Sequence, residues 1–81
     1  MMLTPATCRA ARALVDWTQF ELGSRAGVSA GTVRDFEAGE QALKARELNA
    51  IVVVFEAAGL ELLNHEAPGV KLKPVKGQTR K

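Results

Sequence analysis

The stretch TQFELGSRAGVSAGTVRDFEAG, Thr18 to Gly39, reads as two short helices around one tight turn. Thr18 follows Trp17 as a helix N-cap, and Glu21 three residues later predicts a capping box. The helix it opens, Gln19 to Ala26, is stopped by Gly27, which supplies the positive φ of a left-handed cap. Ser29 is the next N-cap, opening a helix from Ala30 to about Ala38 that Gly39 closes. Leu22, Ala26, Val28, Val33 and Phe36 fall where the two helices must face each other and the core. Gly23 is the small residue that permits close approach at their crossing. Two helices joined by a glycine turn make the helix-turn-helix pattern.

The flanks extend this into a domain. Thr4-Pro5 opens a first helix, with Pro5 in the first turn where its missing N–H costs nothing. Cys8, Ala11 and Val15 give that helix one apolar face, and Asp16 ends it in a left-handed turn. A polar connection, Glu40 to Lys44, leads into the longest helical segment, Ala45 to Ala58, stopped by Gly59; Leu48, Ile51, Phe55 and Ala58 form its core stripe. Beyond Gly59 the apolar period drops to two: Leu60 and Leu62 flank Glu61, and Val70 and Leu72 alternate with Lys71 and Lys73. With Pro68-Gly69 as the central pair of a type II turn, this predicts a hairpin of Leu60–His65 with Val70–Lys73. Such a hairpin is marginal in water and must pack on the helices or on a second subunit. The predicted fold is mainly α: four short helices containing a helix-turn-helix (18–39), plus a small C-terminal β-hairpin (60–73). Residues 1–73 make one domain and 74–81 a loose basic tail.

Composition agrees with one small helical core: 81 residues, 47% apolar and 25% charged. No apolar run approaches a membrane span, and the arginines among the first apolar residues argue against a signal peptide. A single cysteine, Cys8, leaves no intramolecular disulfide and fits a reducing, cytoplasmic compartment. The net charge of +2 hides an asymmetry, because residues 1–70 hold six bases against all nine acids. Lys71, Lys73, Lys76, Arg80 and Lys81 follow with no acid among them. A mildly acidic body with a basic tail suits an anionic partner such as nucleic acid, or a solvated end that keeps the chain soluble.

From about Ala6 to Ala58 the sequence resembles the phage-repressor or Cro-like (Xre-type) family of bacterial helix-turn-helix transcriptional regulators. The resemblance is carried by Arg12, Thr18-Gln19, Leu22, Gly27-Val28-Ser29, Thr32-Val33, Phe36-Glu37 and Gly39. It is greatest to small single-domain members that begin Thr-Pro-Ala-x-Cys-Arg-Ala-Ala-Arg-Ala-Leu and carry a Pro-Gly-Val-Lys/Arg-Leu segment after the last helix. It implies that Arg12 and Glu37 form a partly buried salt bridge, as an arginine on an apolar helix face requires. It implies that Thr18 and Gln19 position the DNA backbone at a helix N-terminus. The third helix would then enter the major groove, bringing Ser29, Ala30, Gly31, Thr32, Arg34 and Asp35 to the DNA, with Lys44 beyond it. Relatives tend to carry arginine or glutamine at the positions of Ala30 and Gly31, and several arginines after Gly39, so the reading surface here is thin.

Helix four is apolar around most of its circumference, through Val52-Val53-Val54 beside Ile51 and Phe55. Val52 and Val53, joined by Leu63, are expected to form a homodimer interface; the alternative is that the chain's own hairpin covers them. No catalytic or metal constellation is present in the sequence: Cys8 reads as a small core residue, and His65 has no ligand at metal-binding spacing. Neither an enzyme nor a cofactor is expected. The resemblance implies a DNA-binding regulator; with the valines of helix four joining two copies, the expectation is a homodimeric repressor that covers a palindromic operator in double-stranded DNA. The rival is a protein-binding adaptor, such as an antitoxin or antiactivator, on a scaffold whose readout has weakened.

Overall fold

The computed structural model describes residues 3–63 and 69–72, with side chains as far as Glu61. The chain is mainly α. Helices α1 (Pro5–Val15), α2 (Gln19–Ala26), α3 (Ala30–Glu37) and α4 (Ala45–Ala57) precede strands β1 (Leu60–Leu63) and β2 (Gly69–Leu72).

Local chemistry sets the helix ends. The Thr4 and Thr7 side chains each accept from the other's backbone N–H, at 3.1 and 2.8 Å, a capping box built from two threonines. Asp16 takes the left-handed conformation at φ 59°, ψ 43°, and turns the chain out of α1. Thr18 Oγ1 accepts from the Glu21 N–H at 2.9 Å, but the expected reciprocal bond is not made. The Glu21 carboxylate pairs with Arg25 at 3.1 Å instead, because a cation one turn along the same face is a stronger partner than a neutral N–H. Gly27 has φ 71° and Ser29 Oγ accepts from the Thr32 N–H, so the N-cap of α3 lies two residues after the C-cap of α2. At α4, Glu47 accepts from the Lys44 N–H at 2.9 Å.

The core gathers Cys8 and Ala11 of α1, Leu22 of α2, Val33 and Phe36 of α3, Ile51 and Phe55 of α4, and Leu60 of β1. Gly23 fixes the approach of α2 to the following turn. A Cβ there would lie 2.3 Å from the Val28 carbonyl oxygen, a contact that only glycine avoids. Trp17, between α1 and α2 in the chain, reaches α4: its ring stacks on Phe55 at 5.7 Å between centroids and 12° between planes.

Three expectations are corrected. Ala58 is exposed, because the helix stops at Ala57 and Ala58 is its cap. Val52 is buried, at 6% exposure, rather than left over for a partner; α4 is flanked by α2 and by β1, so a wider arc of it is covered than one stripe. Among the described residues β1 runs Leu60–Leu63, against an expected Leu60–His65, and β2 begins one residue before the expected Val70–Lys73; they pair antiparallel with Leu60 opposite Leu72 and Leu63 opposite Gly69. Gly69 is therefore a strand residue rather than the second centre of a two-residue turn, and the connection falls in residues 64–68, outside the described residues, as do His65 and the tail. The hairpin packs on the chain's own helices, β1 along α4 and β2 along α1.

Candidate nucleic-acid interface

The C-terminal end of α3 is held by a buried carboxylate. Glu37, whose side chain is 3% exposed, receives Arg12 through two bonds, Nε to Oε2 and Nη2 to Oε1, each 2.8 Å. Gln19 Nε2 donates to Oε1 at 3.1 Å and the Cys8 thiol to Oε2 at 3.1 Å. The remaining Arg12 nitrogen, Nη1, donates to the Trp17 carbonyl at 3.0 Å, and Arg9 donates to the Glu37 carbonyl. One carboxylate thus ties α1, the start of α2 and the end of α3 together.

Burial alone raises the Glu37 pKa, but the bonds from Arg12, Gln19 and Cys8 and the charge of Arg12 outweigh it and hold the group below its ordinary value. The bond to Glu37 holds the Arg12 guanidinium above its ordinary value despite burial. Burial, with the neighbouring carboxylate, pushes the Cys8 thiol well above the ordinary thiol range, so it stays protonated and serves as a donor. The Arg12–Glu37 pair was legible in the sequence. Gln19 and Cys8 as its further donors were not, since 18 and 29 residues separate them from Glu37. Arg9 had a signal: it lies three residues before Arg12, on the same helical face.

The other candidate residues line the outer side of the helix pair. Thr18 is exposed at the α2 N-terminus, while the Gln19 amide beside it is engaged with Glu37. Ser29 is exposed, and its hydroxyl lies 2.8 Å from that of Thr32. Ala30, Gly31 and Thr32 are half-buried on the first turn of α3. Arg34 is exposed, and its Nε donates to Asp35 Oδ1 at 3.1 Å. Lys44 sits apart, exposed at the start of α4.

Most cations in the body have partners. Arg9 and Arg12 serve Glu37; Arg25 pairs with Glu21 and lies 4.4 Å over the Trp17 ring; Arg34 pairs with Asp35. Lys44 and Arg46 have no acidic partner among the described residues. Of the dimer candidates, Val53 is 54% exposed, Val52 is buried, and the Leu63 side chain lies outside the described residues. An open groove of about 680 Å³ runs along α4, lined by Ala45, Arg46, Leu48, Asn49 and Val52. No helix among the described residues is long and apolar enough to cross a membrane. No protein-family model and no curated protein matches the chain, so the family resemblance rests on the residues quoted for it.

Proposed function

We propose that this chain is a sequence-specific DNA-binding transcriptional regulator of the cytoplasm. In this account α2, the Gly27–Ser29 turn and α3 are a helix-turn-helix, and α3 enters the major groove. The observation that carries it is the two-sidedness of α3. Val33, Phe36 and Glu37 are buried and anchor the helix, while Ala30, Gly31, Thr32, Arg34 and Asp35 stay at the surface. A helix clamped from behind presents its outer face without rearrangement. Thr18 at the N-terminus of α2 is exposed to meet a phosphate. A homodimer joined through α4 and Val53 would set two α3 helices about 34 Å apart on a palindromic operator, and such a dimer represses by covering a promoter.

Phe20, 73% exposed beside Gln19, and Leu14, 50% exposed on α1, favour a second possibility, a protein-binding adaptor. Selection from a random duplex library at low and at physiological salt separates the two. Enrichment of a dyad that survives physiological salt is the expected result. Retention without a motif, lost on adding salt, would leave only the charge of the tail and favour the adaptor.

A further inference from the structure

Resting on the DNA-binding proposal above, we infer that Arg34 and Asp35 act as one unit that reads a G·C base pair, and that the small residue at position 31 leaves room for it. Arg34 is the specificity-determining residue and Asp35 positions it.

The geometry of the pair carries this. A helical side chain leans toward the N-terminus of its helix, over the preceding turn. Arg34 does so: its Nη2 lies 3.6 Å from the place a Cβ would occupy on Gly31. The guanidinium of a residue in the last turn is thereby brought over the first turn of α3, the end that reads base edges when such a helix lies in the major groove. Any side chain at position 31 longer than alanine would compete for that volume. The small residue at position 31 leaves the volume that Arg34 fills.

The hydrogen bonds leave the right groups free. Asp35 Oδ1 takes Nε at 3.1 Å, which fixes the guanidinium plane through its inner nitrogen. Nη1 and Nη2 have no partner among the described residues, and the Arg34 side chain is 66% exposed. Guanine offers two acceptors in the major groove, O6 and N7, spaced for two parallel N–H donors. Asp35 Oδ2 is also without a partner among the described residues, and the cytosine of the same pair offers N4–H₂ as a donor. Two donors beside one acceptor match the edge of G·C. The pair has no net charge, and its carboxylate repels phosphate, so a base edge suits it better than the backbone.

The test repeats the duplex selection with Arg34→Lys, Asp35→Asn and Gly31→Leu, after thermal unfolding has shown each variant to be folded. Wild type should enrich guanine at one position in each half-site. Arg34→Lys keeps the charge but cannot donate two parallel bonds. It should lose preference at that position alone, with cognate affinity down by roughly tenfold to a hundredfold and an unchanged salt slope. Asp35→Asn and Gly31→Leu should relax the same position and no other. If Arg34→Lys selects the same guanine as strongly, the assignment is overturned while DNA binding stands. A uniform loss on all duplexes with a shallower salt slope would overturn it too, making Arg34 a phosphate contact. A wild-type chain that enriches no motif overturns this inference and the DNA-binding proposal together.

Discussion

Glu37 is a carboxylate at 3% exposure with four donors on its two oxygens, from Arg12, Gln19 and Cys8. Its loss should be among the most damaging single changes. Glu37→Ala strands the Arg12 guanidinium and should cost about 3 kcal/mol or more in chemical denaturation; a loss under about 1 kcal/mol would mean that the clamp is not structural. The charge also predicts a pH dependence. Because the folded-state pKa of Glu37 is depressed, its contribution is present above the ordinary carboxylate range and disappears as the pH falls through the folded value. Wild type should lose more thermal stability than Glu37→Gln between about pH 5 and pH 3, and parallel curves would contradict the depressed value. At this scale the sequence disclosed the pair and hid the cluster. An arginine on an apolar face demands an acid and the family resemblance points to Glu37, whereas nothing local says that the Gln19 amide and the Cys8 thiol share it.

Helix boundaries were the most legible feature, because caps are short-range chemistry. Thr4, Asp16, Thr18, Gly27 and Ser29 each act where they were expected. The two glycines around α2 are required for different reasons, which substitution can separate. Gly27→Ala meets no neighbour and should cost about 1 kcal/mol, the strain of a left-handed alanine. Gly23→Ala drives a Cβ against the Val28 carbonyl and should cost more, up to about 3 kcal/mol, because α2 and the turn must separate. Equal melting temperatures for the two variants would show that the close approach at Gly23 is relieved elsewhere. What the sequence did not disclose depends on neighbours. Glu21 had a choice between a backbone N–H and Arg25, and the cation won. Val52 is buried because α2 and β1 cover a wider arc of α4 than one stripe, and Ala58 is exposed because the helix stops at Ala57. Gly69 joined β2 instead of a turn because the pairing register begins at Leu63.

Among the described residues, an acidic body carries most of its cations in internal pairs and leaves Lys44 and Arg46 without an acidic partner, while the sequence from Lys71 to Lys81 adds five bases and no acid. Electrostatic affinity should therefore be modest per chain, and two copies should be needed for a stable complex. Val53 is the exposed apolar residue of α4, so Val53→Glu should yield monomers in sedimentation equilibrium; a persistent dimer would move the interface off this helix. The buried face of α3 was foreseen from the spacing of Val33 and Phe36, and the place of Glu37 on it from the family resemblance. The orientation of Arg34 over Gly31 was not, since it depends on a side-chain torsion and on the carboxylate beside it. The central claim is that the outer face of the α2–α3 pair meets DNA. Amide chemical-shift mapping of the full chain against a random-sequence duplex at low salt tests it most directly. Shifts are expected at Thr18 and Gln19 and across Ser29 to Asp35. Shifts confined to residues 73–81, with those amides unmoved, would contradict the account.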